Sequence, residues 1–516
     1  MEVLDSYYVG ADIGTTSTKA VLYDKKGTVL NTHHVEYPLH SPVPGIAEQD
    51  PDEILQAVIT SIKMVLQKIK ANASKQLKLI SFSSAMHSVI VIDEAGKPIT
   101  RCMTWADNRA SEVASRINKD MDGLSIYKRT GTPIHPMSPL TKIAWMRESD
   151  SETFAKAYKF IGIKEYVFYK LFGKYVIDYS IASATGLFNL EQLKWDEGAM
   201  EIAGITADKL SEPVNTTTVL TGLDSLYAQE MGIRPDTPFV IGASDGVLSN
   251  LGVNAIDPGV VAVTIGTSGA IRAVTNKPVT DGKGRIFCYA LTDNHWVVGG
   301  PVNNGGMTFR WVRDELASAE TETAKRLGID PYEVLTQIAS RVAPGSDGLI
   351  FHPYLAGERA PLWDADARGS FFGLSLFHKR EHMIRSVLEG VILNLYTVLL
   401  ALEEIIGEPT KIQATGGFAR SELWRQMMAD IFNQEVHIPE SFESSCLGAV
   451  VLGMYAIGEI DDFSIMSEWM GTMHTHKPNP DNVEVYHHII PIYIRVSRLL
   501  QEEYHAIAEY QRQWVK

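Results

Sequence analysis

A hairpin motif with a glycine–threonine tip occurs twice in this sequence, and it constrains the fold more than any other feature. The first copy runs from Asp12 to Lys19, between the apolar runs 7–11 and 20–23. The second copy lies within 261–274, where strand-forming residues stand on both sides of Ile265-Gly266-Thr267-Ser268. Because the two copies lie in separate halves of the chain, they predict two related domains, each presenting one such tip.

Each tip carries the chemistry that a phosphate group needs. Gly14 and Gly266 let the backbone approach an anion closely, and backbone N–H groups there can point at it. Hydroxyl donors follow at Thr15, Thr16 and Thr267. Asp12, at the end of the first strand, is suited to holding a hydrated Mg²⁺. An ordinary turn with a solvated aspartate is the alternative for the first copy alone, and the repeat favours phosphate.

A third glycine pair, Gly416 and Gly417, follows a short predicted strand over 411–415 and precedes a predicted helix over 421–433. This arrangement presents a backbone edge to a flat ligand such as adenine.

Composition restricts the class of protein. The 516 residues exceed what one core can organise, so two or three domains are expected. Hydrophobic residues make up 45% and charged residues 21%, as in soluble globular proteins. The net charge of −15 argues against nucleic acid or an acidic membrane as a partner. Three widely separated cysteines, Cys102, Cys288 and Cys446, are predicted to be buried free thiols in a reducing compartment.

The start of the chain, 1–5, is acidic, which is not the pattern of a signal peptide. The longest apolar stretch, Gly390 to Ile406, is interrupted by polar residues and falls short of the ~20 residues of a membrane span. We therefore expect a cytoplasmic protein without a membrane partner.

Secondary-structure signals alternate along the chain. Asp50 is a natural N-cap with Pro51 at the first helical position, and apolar residues at helical spacing continue to Ile69. Strands over 77–82 and 88–93 follow, and a buried helix is predicted over 382–406. This alternation predicts an α/β fold. We place the domain boundary after residue 246, which gives domains of 1–246 and 247–516.

Three polar loops end predicted strands in the first half, at 84–87, 105–109 and 241–246. In open α/β sheets ligands bind beyond the carboxyl ends of strands. Tryptophan with aspartate and arginine suits a sugar or polyol, since it offers an apolar face, a double acceptor and a bidentate donor. The candidate substrate-binding residues are Met86, His87, Trp105, Asp107, Arg109 and Asp245.

Each of these loops also has a structural interpretation. His87 could be a satisfied loop histidine, Trp105 a core residue, and Asp107 with Arg109 a surface ion pair. Asp245 is different, because an acid among glycine, alanine and serine at a strand end has little to pack against.

Taken together, these residues resemble the FGGY family of carbohydrate kinases, within the actin-like ATPase superfamily. The segment 137–146 resembles one signature of that family, although Ser149 stands where the signature has an acid, amide or histidine. The segment 369–374, followed by 382–389, resembles the second signature throughout. The resemblance extends over nearly the whole chain, in order.

The resemblance implies two actin-like (ribonuclease H-like) domains, each a mixed five-stranded sheet flanked by helices, with ATP and substrate in the cleft between them. It implies that Asp245 is the catalytic base and that Asp12, with Asp245, positions Mg²⁺. The residues it implies for the nucleotide are Gly14, Thr15, Thr16, Lys19, Gly266, Thr267, Gly306, Arg310, Gly416 and Gly417.

Within the family, the segments 105–109, 131–139 and 354–361 resemble the gluconate kinases. The predicted activity is therefore ATP-dependent phosphorylation of D-gluconate to 6-phosphogluconate. Arg109 would either pair with the gluconate carboxylate or hold Asp107 in place. The alternatives are a xylulose, ribulose or glycerol kinase and, from another class, an actin-like ATPase without a sugar acceptor. Relatives form dimers or tetramers, and a homodimer is the expectation here.

Overall fold

The computed structural model describes residues 6–43, 45–67, 76–439, 444–470 and 473–514. The chain forms two compact units. The first comprises the chain up to Ile256, together with Val274–Val298 and the described part of 443–471. The second comprises Asp257–Ala273 and the described parts of 299–442 and 472–516.

These units are not the consecutive segments 1–246 and 247–516 that we predict as domains. The units differ from these segments because a helix from the second half of the sequence, Ser444–Ala456, packs on the strands Tyr7–Ile13 and Leu77–Ser84 of the first unit. A carbonyl of this helix, that of Cys446, lies 2.3 Å from the position that a Cβ on Gly10 would take. Glycine at position 10 therefore permits the close approach.

In chain order the strands are β1 (Tyr7–Ile13), β2 (Ser17–Asp24), β3 (Val29–Glu36), β4 (Glu48–Gln49), β5 (Leu77–Ser84), β6 (Ile90–Ile92), β7 (Cys102–Met103), β8 (Lys159–Ile161), β9 (Val176–Asp178), β10 (Phe188–Asn189), β11 (Lys194–Trp195), β12 (Glu212–Val214), β13 (Val219–Leu220), β14 (Phe239–Ser244), β15 (Val260–Ile265), β16 (Gly269–Thr275), β17 (Phe287–Ala290), β18 (Trp296–Val302), β19 (Ile350–His352), β20 (Ser370–Phe372), β21 (Lys411–Thr415), β22 (Val436–Pro439) and β23 (Met473–His476).

The α-helices are α1 (Pro51–Leu66), α2 (Ser111–Asp120), α3 (Gly123–Thr130), α4 (Pro139–Ser149), α5 (Ser151–Lys156), α6 (Ile163–Phe172), α7 (Tyr179–Ser183), α8 (Glu197–Ala203), α9 (Ser225–Met231), α10 (Asp245–Gly252), α11 (Gly306–Trp311), α12 (Ser318–Leu327), α13 (Pro331–Ala339), α14 (Arg380–Ile406), α15 (Glu422–Phe432), α16 (Ser444–Ala456), α17 (Ile465–Trp469), α18 (Pro480–Leu499) and α19 (Gln501–Trp514).

The first sheet is mixed, with the strand order β13-β14-β5-β1-β2-β3. Strands β1, β2 and β3 form an antiparallel meander, whereas β5 runs parallel to both β1 and β14. Helix α1 packs on β2 and β3 through apolar residues such as Ile54 and Val58, and its N-cap is Asp50 as predicted. The helix is described to Leu66, so the predicted continuation to Ile69 lies outside the described residues.

The second sheet is also mixed, with the strand order β17-β18-β16-β15-β21-β22-β23. Strand β15 pairs antiparallel with β16 and parallel with β21, so the second hairpin repeats the arrangement of the first. The mixed α/β architecture is confirmed, but the predicted count of five strands per sheet is wrong. Among the described residues, the first sheet has six strands, including the two-residue edge strand β13, and the second sheet has seven.

Helix α14 is longer than the predicted apolar stretch, since it spans 27 residues. By length and composition it could cross a membrane, and it is the one such helix among the described residues. However, 78% of its most apolar part is buried inside the protein. This is the burial of a core helix.

Candidate active site

The ends of three neighbouring strands bring the predicted catalytic residues of the first unit to one edge of its sheet. Ser84 of β5 stands opposite Ile13 of β1 and opposite Ser244 of β14. Because the three strands are parallel, their carboxyl ends share this edge. Asp12 lies one residue before Ile13, and Asp245 one residue after Ser244.

Asp12 is held in place by hydroxyl groups. Its Oδ1 accepts a hydrogen bond of 2.7 Å from Ser83, and its Oδ2 accepts one of 3.0 Å from Ser445 of α16. Its partner across the hairpin is Lys19. The two hydroxyl donors therefore fix the orientation of both carboxylate oxygens.

The first hairpin tip is fastened by its neighbours. Gly14 donates its N–H to Ser17 O at 3.0 Å and accepts from the Tyr37 hydroxyl at 2.6 Å. The Trp105 indole N–H donates to Thr15 Oγ1 at 2.8 Å. The predicted acceptor loop and the predicted phosphate tip are therefore in direct contact within the first unit.

Asp245 begins helix α10 directly after β14, and its carboxylate accepts a 2.6 Å hydrogen bond from Gly246 N. The register of β14 with β5 shifts between Val240 and Ala243, around Gly242. Gly242 has a φ of +70°, and a Cβ there would lie 1.7 Å from Phe82 O. A β-bulge at Gly242 therefore sets the direction of the strand end that carries Asp245.

His87 is buried, with a φ of +69°, and its Nδ1 lies 2.7 Å from Ala184 O. Its backbone carbonyl accepts a 2.8 Å hydrogen bond from Lys142 Nζ. The ring is therefore held by protein, as in the satisfied loop histidine of the alternative interpretation. Met86 precedes it and is half-buried.

Asp107 and Arg109 form a buried ion pair rather than a surface one. The Asp107 side chain is 0% exposed and accepts from Arg109 Nε at 2.8 Å and from Arg109 Nη2 at 2.6 Å. Arg109 also pairs with Glu48 and lies over the Trp145 ring, with 5.3 Å from Cζ to the ring centroid. Although burial acts against it, hydrogen bonds to Asp107 and Glu48 raise the pKa of Arg109. Two carboxylates thus already offset its charge.

The second unit contains a pocket of about 700 Å³, a size typical of small-molecule sites. Five of the predicted nucleotide residues line it: Gly266, Thr267, Gly306, Arg310 and Gly417. Gly416 immediately precedes the lining residue Gly417. It has a φ of +108°, and a Cβ at this position would lie 2.2 Å from Ile265 O. The second tip, the start of α11 and the glycine pair after β21 therefore meet at one cavity.

Backbone contacts join the second tip to the start of α11. Gly306 N donates to Gly266 O at 2.7 Å, and Met307 N donates to Thr267 O at 3.0 Å. A Cβ on Gly305 would lie 2.4 Å from Ser268 O, so glycine is required for this approach.

The segment before α11 is anchored by Glu358, whose side chain is fully buried. Its carboxylate accepts from Asn303 N at 2.5 Å, Asn304 Nδ2 at 3.0 Å and Asn394 Nδ2 at 2.8 Å. Burial raises the pKa of Glu358, while the donors of Asn304 and Asn303 and the neighbouring Arg359 oppose that rise. This network fixes the chain that leads into the pocket.

Several residues that line the pocket are not predicted from the sequence to belong to it. Three aromatic side chains pack together beside the cavity: Phe309 lies 5.3 Å from Tyr332 and 5.5 Å from Trp424, between ring centroids. Ser421, the first residue of the predicted helix over 421–433, lines the pocket and caps α15 through Trp424 N. The aromatic residues lie on three separate helices without a shared motif, so only the structure brings them together.

The comparisons with known proteins agree with this geometry. Residues 7–252 match the N-terminal domain of the FGGY family of carbohydrate kinases, and residues 261–457 match its C-terminal domain. The chain belongs to the FGGY family of carbohydrate kinases, and the predicted family is confirmed. As a kinase of this family it uses ATP and a small-molecule substrate.

Three individual proteins are similar to this chain over nearly its whole length. The chain is 62% identical over 510 residues to a gluconokinase of Bacillus subtilis, covering 99% of each protein. It is similar to the crystal structure of a gluconate kinase from Lactobacillus acidophilus, with 38% identity, a TM-score of 0.92, and coverage of 98% of this chain and 100% of that one. A ligand-bound xylulose kinase from the same organism matches with 38% identity and a TM-score of 0.92, over 97% of this chain and 100% of that one.

Proposed function

We propose that this protein transfers the γ-phosphoryl group of ATP to the terminal hydroxyl of D-gluconate, giving ADP and 6-phosphogluconate. The observation that carries the substrate assignment is the 62% identity to a gluconokinase over 99% of both chains. The solved xylulose kinase of the same fold reaches 38%. The match with the gluconokinase covers 99% of this chain, so it is not confined to one part of it.

Asp245 is the general base of this reaction. As the terminal oxygen of gluconate attacks the γ-phosphorus, its proton passes to the Asp245 carboxylate, and the bond between γ-phosphorus and the bridging oxygen breaks to release ADP. The position of Asp245 at the edge of the sheet, one residue beyond β14, supports this role. A positioned base contributes about 10²–10⁴-fold, so alignment of the reactants must supply much of the remainder.

The nucleotide binds through two sets of groups. In the second unit, Gly266, Thr267, Gly306 and Arg310 contact the phosphates, while Gly416 and Gly417 lie beside adenine. The aromatic residues that line the same pocket give the flat base an apolar surface. In the first unit, Gly14, Thr15, Thr16 and Lys19 bind the transferred phosphoryl group.

Mg²⁺ fits the carboxylates of the first unit. This ion is usually bound through one or two carboxylates, several waters and the substrate phosphates, so it needs no larger cluster. No group of three or more histidine, cysteine or acidic side chains suited to a metal occurs among the described residues. Asp12, whose oxygens are oriented by Ser83 and Ser445, would hold the ion together with Asp245. When bound, the ion neutralises charge on the phosphates.

The acceptor lies against Met86 and Trp105, with Trp105 presenting an apolar face to the C–H groups, while the buried side chains of His87 and Asp107 fix the two loops that form this surface. Of the two predicted roles for Arg109, the contacts favour the one in which it holds Asp107. Both Asp107 and Glu48 already neutralise the guanidinium, which leaves it poorly suited to pair with a third carboxylate.

A coupled assay of ADP release over a panel of acceptors tests this function. With MgATP in excess, gluconate should give the highest kcat/KM, above xylulose, ribulose and glycerol. A higher kcat/KM for a pentulose or glycerol would replace gluconate with that acceptor. ADP release at the full rate without any acceptor would instead indicate an actin-like ATPase.

A further inference from the structure

Two lysine side chains in the first unit are buried as deeply as its apolar core, with exposures of 0% for Lys142 and 3% for Lys164. A buried ammonium group is costly unless every proton finds an acceptor. The acceptors of these two lysines are therefore informative, and they belong to the segments that carry the proposed catalytic and acceptor-binding residues.

Lys164 binds the strand end that carries Asp245. Its Nζ donates to Ile241 O at 3.1 Å and to Ala243 O at 3.2 Å. These two carbonyls stand on either side of Gly242, the residue at the β-bulge. A bulge locally disrupts the ladder of hydrogen bonds, and Lys164 supplies donors to the carbonyls around it.

Asp178 completes this arrangement. Its Oδ2 lies 2.6 Å from Lys164 Nζ, and its Oδ1 accepts from Ile181 N at 3.0 Å, which caps helix α7. The strand end before Asp245 is thereby tied to α6, through Lys164, and to the start of α7. A small shift of this strand end would move the base relative to the acceptor hydroxyl.

Lys142 binds a different set of segments. Its Nζ donates to His87 O at 2.8 Å, to Thr104 O at 2.6 Å and to Met137 O at 2.7 Å. His87 lies in the loop after β5, and Thr104 precedes Trp105 in the loop after β7. One ammonium group therefore fixes the spacing of the loops that we assign to the acceptor.

We propose that Lys164 and Lys142 are positioning residues with separate tasks: Lys164 aligns the base Asp245, and Lys142 holds the acceptor-binding loops in register. The proposal rests on the proposed function, because it takes Asp245 as the base and the loops at 84–87 and 105–109 as the acceptor site. Neither lysine contacts the substrates directly in this assignment.

The test is a pair of matched substitutions, Lys164→Met and Lys142→Met, which keep the length of the side chain and remove its donors. Misplacement of a reacting group by about 1 Å can cost about 10²-fold in rate. For Lys164→Met we expect kcat to fall at least about tenfold while both KM values stay within about threefold of wild type. For Lys142→Met we expect the KM for gluconate to rise at least about tenfold while kcat and the KM for ATP stay within about threefold.

Each variant controls for the other, since a purely structural role predicts the same losses in both. Asp178→Asn and Lys142→Gln are milder versions that retain part of each network, and they should shift the same constants in the same direction by less. Equal losses in kcat and in both KM values for the two methionine variants, or no change in either, would overturn the proposal.

A failure of the proposed function can be distinguished from a failure of the roles proposed for the two lysines. If the wild-type enzyme prefers another acceptor, the same division between kcat and acceptor KM is measured on that acceptor. If Asp245→Asn remains active, Asp245 is not the base, and the role of Lys164 in aligning it is refuted as well. The role of Lys142 is still tested, because it depends only on the change in the KM for the acceptor in Lys142→Met.

Discussion

Single side chains at the proposed acceptor site have more partners than their spacing in the sequence indicates. The sequence leaves an Asp107–Arg109 ion pair at the surface as one alternative, and the structure has this contact at 2.6–2.8 Å with the Asp107 side chain buried. It does not predict Glu48, the third member, because Glu48 lies on the separate strand β4, which pairs with β7. Contacts between distant strands carry no local signal.

The role of Arg109 can be tested with Arg109→Ala on two acceptors of the same length, gluconate and a neutral polyol. Loss of the guanidinium removes the charged partner of the buried Asp107 carboxylate and leaves it with backbone N–H donors from Ala47 and residue 109, which destabilises the loop. We therefore expect kcat/KM to fall by about tenfold or more on both acceptors, and to a similar extent. The KM for ATP serves as the control and should stay near wild type. A loss confined to gluconate would instead assign Arg109 to the substrate carboxylate.

The buried side chain of His352 should make the stability of the protein depend on pH. The ring is fully buried, with Nδ1 3.2 Å from Ser370 Oγ and Nε2 3.0 Å from Tyr493 O, and burial lowers its pKa from 6.5 to about 4. Between pH 6.5 and pH 4 the unfolded chain binds a proton at this residue and the folded chain does not. Stability should therefore fall as the pH falls through this range, by up to about 3 kcal/mol from this group.

Thermal midpoints of the wild type and His352→Gln at pH 7 and pH 4.5 measure this effect. The wild type should lose more stability on acidification than the variant does. His488→Gln is the matched control, because the His488 side chain is 79% exposed. An equal loss of midpoint in wild type and His352→Gln would contradict the assignment.

Among the secondary-structure elements, those with strong local signals are predicted correctly. The first hairpin, the second hairpin and the strand 411–415 all occur where glycine, hydroxyl and β-branched residues indicate them. The two-residue edge strand β13 is not predicted, because two residues form no periodic pattern. The sequence does not predict the bulge at Gly242 either, since a bulge depends on the register of the neighbouring strand.

The turn after β21 offers a test with adjacent glycines. Gly416 has a φ of +108° and no room for a Cβ, whereas a Cβ on Gly417 has nothing within 4 Å. Gly416→Ala should therefore destabilise the protein by about 2 kcal/mol or more, because alanine is strained at this φ and meets Ile265 O. Its thermal midpoint should fall and its KM for ATP should rise, while Gly417→Ala keeps a midpoint close to wild type. Equal midpoints for the two variants would refute the strained turn.

At the scale of the whole molecule, the sequence predicts the class of fold but not how the chain is divided. The repeated tips predict two related units. The residues predicted to bind phosphate, to act as the general base and to lie beside adenine follow from those tips and from the family resemblance. The return of 274–298 and of α16 to the first unit is not predicted, because it depends on packing between segments far apart in sequence. The aromatic residues that line the proposed nucleotide pocket are not predicted either, for the same reason.

The central claim is that one carboxylate, at residue 245, activates the acceptor hydroxyl in a kinase that binds ATP independently of that group. The most direct measurement is kcat with gluconate for Asp245→Asn, together with its affinity for a non-hydrolysable ATP analogue. Asp236→Asn, an exposed aspartate of the same unit, is the matched control and should keep the wild-type kcat. We predict that Asp245→Asn loses turnover and binds the analogue with nearly wild-type affinity. More than about a tenth of the wild-type kcat would contradict the account.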